Sequence, residues 1–280
     1  MDEKALGRRL QAARQAAGFT QQSLCQKAGL SYSTLAKIER GAIKTPSIFT
    51  IQRIAAVLGV TLDALVGTPP PAAKRREHSK SGISFVYFDV NDCLVQFYHR
   101  AFTHIAADAD VPADVPETLF WHYNDQICRG DMTMAEFNRT LGGQLRLPGF
   151  DWTAYYLEST EPTPGMAELV AWAAKRYGIG LLTNSMPGMV DRLREQYLLP
   201  DVQFDVIIDS SEAHQLKPER AIYDLALERS GCRADELLFV DDSRTNIMAA
   251  ERLGWHVLHF ESPNPEESIM RIRSALEPAV

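Results

Sequence analysis

The sequence predicts two folds in series: an all-α helix-turn-helix domain, then an α/β doubly wound parallel sheet carrying a small helical cap. Three observations carry that reading. The first 80 of the 280 residues hold 13 Lys and Arg against 5 Asp and Glu, while the remainder holds 16 against 31. In that basic quarter, apolar residues recur at helical spacing in short segments that end at glycines. Beyond it, unbroken apolar runs end in polar or acidic residues and alternate with amphipathic helical patterns, as strands and helices of a parallel sheet do.

In chain order, Leu6, Leu10, Ala13 and Ala17 lie at helical spacing and Gly18 stops the first helix. Thr20 is the expected N-cap of a second helix over 21–28, ended by Gly29. Ser31 caps a third over 32–40, ended by Gly41. Pro46 and Ser47 open a fourth, with Ile51, Ile54, Ala55 and Leu58 facing inward, and Thr61 caps a short fifth holding Leu62 and Leu65. The tight glycine turn between the second and third makes a helix-turn-helix, with Leu24, Ala28, Leu35 and Ile38 as its buried half.

The stretch Thr20-Gln21-Gln22-Ser23-Leu24, then Ala28-Gly29-Leu30-Ser31-Tyr32-Ser33-Thr34-Leu35-Ala36-Lys37-Ile38-Glu39-Arg40-Gly41, resembles the phage-repressor/Cro type of DNA-binding domain, also called the xenobiotic-response-element type. The resemblance covers residues 4–67 of a domain set at 1–67. It implies that the start of the third helix enters the major groove of a double-stranded DNA operator, with a homodimer spanning two half-sites. Tyr32, Ser33, Thr34 and Lys37 would then face base edges, and Gln21, Gln22, Arg40 and Lys44 would meet phosphate. The basic balance of this quarter suits a polyanionic partner.

Residues 68–82 contain three prolines, Lys74-Arg75-Arg76 and Lys80, and read as a semi-rigid basic linker. No apolar run approaches the ~18 residues of a membrane span, so a membrane partner is not expected. The beginning of the chain lacks the basic-then-apolar pattern of a signal peptide. Cys25, Cys93, Cys128 and Cys232 form no CxxC pair and read as reduced thiols of a cytoplasmic protein.

Residues 85–88, Phe-Val-Tyr-Phe, read as a strand buried on both faces, with Asp89 at its carboxyl end. Ligands bind at that edge in open α/β sheets. A helix follows Pro164, with Met166, Leu169, Val170 and Ala173 on one face, and leads into a strand ending at Thr183. Further strands are expected at 206–209, up to Asp241, and at 256–260, with helices at 221–230, 245–253 and 266–276. Lys217-Pro218 precedes the helix at 221, and Asp241-Asp242-Ser243 ends the third apolar run. Strand-end Asp, strand-end Thr, lysine and strand-end Asp pair, in that order, resemble the four motifs of the haloacid dehalogenase (HAD) superfamily across residues 83–280. The resemblance implies a Rossmann-like core in which Asp89 is the nucleophile. Thr183 and the Asn184 backbone would hold phosphoryl oxygens, and Lys217 would neutralise charge in the transition state. Asp89, the Asn91 carbonyl, Asp241 and Asp242 would hold Mg²⁺, an ion that favours oxygen ligands.

Residues 95–163 carry helical patterns, many aromatics and no convincing strand, and interrupt a core of 83–94 and 164–280. Within this insertion Trp121-His122-Tyr123, Arg129-Gly130-Asp131-Met132-Thr133 and Phe137 resemble the cap of the glucose-1-phosphatase-like branch, which implies Trp121, His122, Tyr123 and Arg129 as substrate contacts. One position departs from the phosphatase pattern. Asn91 stands where a second aspartate is usual, and an amide cannot act as a general acid. Loss of such help costs ~10²–10⁴-fold in rate.

The expectation is a DNA-binding transcriptional regulator with a Mg²⁺-dependent, slow phosphatase-like domain acting on or sensing a small phosphorylated metabolite. Two alternatives stand beside it. One is a degenerate domain kept for effector binding or dimerisation. The other is a haloacid dehalogenase, against which the Asp241-Asp242 pair argues.

Overall fold

Thr20 and Ser31 both cap their helices through the side chain. The Thr20 hydroxyl accepts from the Ser23 amide at 3.1 Å, and the Ser23 hydroxyl bonds back to the Thr20 amide at 2.9 Å. The Ser31 hydroxyl accepts from the Thr34 amide at 3.1 Å. These caps satisfy donors that the first turn of a helix leaves open. The computed structural model describes residues 3–43, 46–58, 60, 65 and 76–278. It divides into two units, Met1–Lys74 and Arg75–Val280.

The first unit contains α1 (Glu3–Ala16), α2 (Gln21–Ala28), α3 (Tyr32–Glu39) and α4 (Ile48–Leu58). Gly29 closes α2 in the left-handed region, φ 63°, where a residue with a Cβ is strained. Leu24, Ala28, Leu35, Ile38, Ile51, Ile54, Ala55 and Leu58 are buried as the periodicity predicts. Two details differ. Arg40 caps α3 in a right-handed conformation, one residue before the expected glycine. On α1 Leu10 is buried, but Ala17 lies beyond the helix and is exposed.

Arg14 turns inward instead. Its Nε and Nη2 reach the two Glu39 carboxylate oxygens at 2.7 and 3.2 Å, and its Nη1 donates to the Phe19 carbonyl at 2.8 Å. The Gln21 amide donates to Glu39 at 2.6 Å. Both charges are buried and multiply bonded, so removing one would strand the other at a cost of ~3–5 kcal/mol. A fifth helix opened by Thr61 and Leu62, Lys44, and residues 68–75 of the expected linker lie outside the described residues; Leu65 is described and buried.

The second unit holds a five-stranded sheet in the order β5–β4–β1–β6–β7, parallel throughout. Its strands are β1 (Phe85–Phe88), β4 (Gly178–Thr183), β5 (Val206–Asp209), β6 (Leu237–Asp241) and β7 (His256–His259). Side chains alternate between two cores, as the pleat requires. Val86, Phe88, Leu181 and Val240 join one cluster, and Phe85, Tyr87, Leu182 and Phe239 the other. The register pairs Phe88 with both Leu181 and Val240, so β1 and β6 finish side by side and deliver Asp89 next to Asp241.

The insertion differs from its all-helical expectation. Its four helices, α5 (Arg100–Ala109), α6 (Asp114–Cys128), α7 (Met134–Leu145) and α8 (Trp152–Glu158), rise from an antiparallel ribbon of β2 (Val95–Phe97) and β3 (Thr160–Pro162). Three-residue strands paired across the whole insertion leave too short a pattern to read. Phe102, Phe120, Phe137 and Trp152 form its aromatic core, with Phe120 and Trp152 centroids 4.5 Å apart. The helices α9 (Met166–Ala174), α10 (Met189–Glu195), α11 (Ser210–Ala213), α12 (Arg220–Ser230), α13 (Arg244–Glu251) and α14 (Pro265–Ala275) complete the unit.

Residues 76–82, read from composition as linker, pack on this unit. Arg76 lies over the Phe85 ring at 4.8 Å and donates to the Ser230 carbonyl, and Lys80 pairs with Glu277.

Candidate functional site

The site is built where β1 and β6 end. Lys217, in the segment between α11 and α12, places its Nζ 2.8 Å from Asp89 Oδ1 and 2.7 Å from Asp241 Oδ2. Asp89 Oδ1 also accepts from the Val90 amide at 2.7 Å, while Oδ2 has no hydrogen bond among the described residues. Asp241 Oδ1 accepts from the Ser243 amide at 2.7 Å, and the Asn246 amide lies 3.1 Å from both its oxygens. Both Asp241 oxygens are therefore committed. Asp242 is half-buried and forms no salt bridge among the described residues.

Asp89, Asp241 and Asp242 offer oxygens within 4.8 Å of one another. Three carboxylates face one ammonium. Burial raises the Asp89 carboxyl above its ordinary range, Lys217 opposes that shift, and Asp241 and Asp242 add to it. Burial, then the Asp241 charge, pushes Asp242 up to about 6. Burial works against the Lys217 ammonium, but Asp241 and Asp89 outweigh it and hold it above the usual lysine range. An oxygen-rich cluster with excess negative charge fits a hard divalent cation.

Two asparagines serve the frame. The Asn184 amide donates to the Lys217 carbonyl at 2.9 Å and accepts from the Lys217 amide at 2.8 Å, fixing the lysine's backbone. Asn91 Oδ1 accepts from the Tyr156 hydroxyl, which comes from α8 of the insertion. The Thr183 hydroxyl is buried and has no partner among the described residues. A cavity of about 280 Å³ opens over Asp89, Asn91, Asn184, Lys217 and Asp242, and the insertion walls it with Phe97, Phe120, Trp121, Trp152 and Tyr156.

Residues 83–254, more than half the chain, match the family model of the haloacid dehalogenase-like hydrolases. The chain belongs to that family. Residues 10–65 match the helix-turn-helix family, so a DNA-binding domain precedes the HAD domain. The chain is 30% identical over 141 residues to the sesquiterpene phosphatase astK of Aspergillus oryzae, covering 49% of this chain and 71% of that one. It is 40% identical over 88 residues to a phosphoglycolate phosphatase of Yersinia pseudotuberculosis, covering 31% of this chain and 38% of that one. A HAD family enzyme of Bacteroides thetaiotaomicron, solved with magnesium and inorganic phosphate, shares the fold at a TM-score of 0.55 and 20% identity, over 65% of this chain and 96% of that one.

Within this HAD-like hydrolase, the structure gathers Asp89, Asn91, Asn184, Lys217, Asp242 and Trp121 around one cavity. Thr183 and Asp241 are buried and do not line it. His122 and Arg129 are not brought to it either. His122 is exposed, and Arg129 makes a two-pronged pair with Glu219 at 2.9 and 2.6 Å. Tyr123 is also absent from the lining; its hydroxyl accepts from Gln144 at 2.9 Å.

Sequence reasoning missed Tyr156, Met186, Met189 and Asn246 as site residues. Only Asn246 had a readable signal, its place one turn beyond the aspartate pair.

In the DNA-binding domain, Tyr32, Ser33 and Lys37 are exposed on α3, and Gln22 is exposed on α2. Thr34 is half-buried, and its hydroxyl bonds to that of Ser31 at 2.7 Å. Gln21 is half-buried, and its side-chain amide donates to Glu39. Arg40 is exposed, with Nε turned back to the Ala36 carbonyl at 3.1 Å. Among the described residues, no helix is long and apolar enough to cross a membrane, and all four cysteines are free.

Proposed function

We propose that the chain is a DNA-binding transcriptional regulator whose HAD domain is a Mg²⁺-dependent phosphomonoesterase for a small phosphorylated metabolite. One observation carries the reading: three converging carboxylates face a single ammonium, and one oxygen of the strand-end Asp89 is left uncommitted. Asp89, the Asn91 carbonyl and Asp242 would hold the ion. Asp241 would instead anchor Lys217, because Lys217, Asn246 and Ser243 occupy its oxygens. When bound, Mg²⁺ supplies neutralisation of phosphoryl charge, which lets a carboxylate approach phosphorus.

Asp89 Oδ2 then attacks phosphorus, the ester P–O bond breaks, and the electron pair leaves on the alcohol oxygen. Lys217 offsets the charge that develops, and the Thr183 hydroxyl, buried outside the lining and without a partner among the described residues, would serve a phosphoryl oxygen only once the bound ester reaches it. Water hydrolyses the aspartyl-phosphate. Asn91 cannot act as the base for that step, so the reaction is slow. The same residue supports the second reading, a domain that binds its phosphate ester as an effector and rarely turns it over. Residues 121–137 keep their likeness to the glucose-1-phosphatase-like branch in motif and chain position. Of the contacts that this likeness implies, Trp121 lines the cavity, whereas Arg129 pairs with Glu219.

Full-length protein is expected to release phosphate from esters only with Mg²⁺. Calorimetry should show divalent-ion binding that Asp242→Ala abolishes. Equal ion affinity in wild type and variant would remove the metal assignment.

On the DNA side, a homodimer would place two copies of α3 on paired half-sites. Lys37→Ala is expected to cost ~1–3 kcal/mol at a specific operator and to relax base preference at one position per half-site. Anisotropy titrations against upstream DNA at several salt concentrations measure this, and an absence of salt-dependent binding rejects the regulator reading.

A further inference from the structure

The chemistry of the cavity wall defines the alcohol half of the substrate, if the phosphomonoesterase reading holds. Lys217 is the only Lys or Arg in the described lining, and it is spent on Asp89 and Asp241. The carboxylates are Asp89, Asp92 and Asp242. His99 turns its Nδ1 toward Glu117 at 3.4 Å. A leaving group with a second carboxylate or phosphate would meet no free cation and would lie near Asp92. Taking a charge out of water without a partner costs several kcal/mol.

Hydroxyl-rich alcohols are poorly served too. All four asparagines of the lining already bond to protein. Asn91 takes the Tyr156 hydroxyl, Asn124 donates to Asp125 and accepts from Cys128, Asn184 clamps Lys217, and Asn246 holds Asp241. Trp121 spends its indole N–H on Glu117 at 3.3 Å. Apart from the Ser185 hydroxyl, 3.5 Å from the Met186 carbonyl, and the Asn91 side-chain N–H, the wall offers ring face and thioether. Phe97 stacks on Tyr156 with centroids 5.1 Å apart, Phe120 lies against Trp152, and Met186 and Met189 also line the cavity. At about 280 Å³ the cavity also falls just below the ~300–1,000 Å³ of pockets for drug-sized ligands.

We infer that the site takes phosphate monoesters of a compact hydrocarbon alcohol with no second anionic group and few hydroxyls. The phosphoryl end meets Asp89 and Lys217, and the hydrocarbon lies among Phe97, Phe120 and Met186.

The test uses the full chain with Mg²⁺ and two readouts. The first is kcat/KM for benzyl phosphate and 3-methylbutyl phosphate against 2-phosphoglycolate and glucose 1-phosphate. Benzyl alcohol is no better a leaving group than the polar alcohols, so a preference reports recognition. The expected preference is about 10²-fold, the scale on which an apolar pocket discriminates. The second readout is independent of turnover: the Kd of benzylphosphonate against that of phosphonoacetate by calorimetry, with the same order expected. Trp121 is 58% exposed, so Trp121→Arg adds a cation without burying it. That variant should bind phosphonoacetate several-fold tighter and benzylphosphonate more weakly. Equal or reversed preference, with turnover or binding intact, overturns the inference and leaves the phosphomonoesterase reading standing. Absence of turnover for every ester and of binding for both phosphonates overturns that reading, and the inference with it.

Discussion

Asn91→Asp raises the turnover of an unactivated phosphate ester by about 10²-fold, the lower end of what general acid–base help contributes. The substitution is isosteric, and residue 91 lines the cavity beside Asp89. Its side-chain oxygen already accepts from the Tyr156 hydroxyl, and a carboxylate would inherit that bond. A hydrogen bond to the charged form favours ionisation. The new aspartate is therefore better prepared as the base that activates water than as the acid that protonates the alcohol. The gain should fall on hydrolysis of the aspartyl-phosphate: steady-state turnover rises while the initial phosphoenzyme burst shrinks. Rapid-quench measurement of both separates the steps. Adding Tyr156→Phe removes the donor and should move part of the gain to the first step. If Asn91→Asp changes neither turnover nor burst, the missing acid–base group is not what limits this domain.

The second large effect is on stability. Lys217 is 4% exposed and is the counter-charge of two buried carboxylates. Lys217→Met keeps the volume of the stem and leaves Asp89 and Asp241 without an ammonium. Breaking a buried pair in this way costs ~3–5 kcal/mol. Phosphate release should be lost with it. Because excess negative charge is what a divalent ion neutralises, Mg²⁺ should raise the variant's melting temperature more than the wild type's. Thermal scans of the full chain with and without Mg²⁺ read this directly. Wild-type stability in Lys217→Met, or no added response to Mg²⁺, would mean that the ammonium does not balance the cluster.

Much of the molecule could be read before any coordinates, for reasons visible in single residues. A parallel strand covered on both faces is apolar along its length, so β1 announced itself as Phe85–Phe88, and β6 did likewise up to its terminal Asp241. Helix starts were legible because Thr20 and Ser31 carry the oxygens that free N–H groups need. What stayed hidden depends on partners distant in the chain. A buried arginine looks like a solvated one until Glu39 is placed beside it. Arg129 and a tyrosine at 156 have no local pattern that separates a clamp from a substrate contact; Glu219 and Asn91 decide their roles. Residues 76–82 have the composition of a linker and the packing of a domain edge, and Phe85 makes the difference.

The insertion is fastened to the sheet domain at a second place besides the β2–β3 ribbon. The Ser210 hydroxyl donates to the Cys128 carbonyl at 2.6 Å in a buried contact, and His214 meets the Arg129 carbonyl at 3.0 Å. Gly130, at φ 77°, fits so closely that a Cβ there would stand 2.2 Å from the Ser211 carbonyl oxygen. A lid held at one edge can swing; one held at two edges cannot swing without tearing an attachment. Opening of the insertion therefore has to break the contacts at the Cys128 and Arg129 carbonyls as well as bend the β2–β3 ribbon.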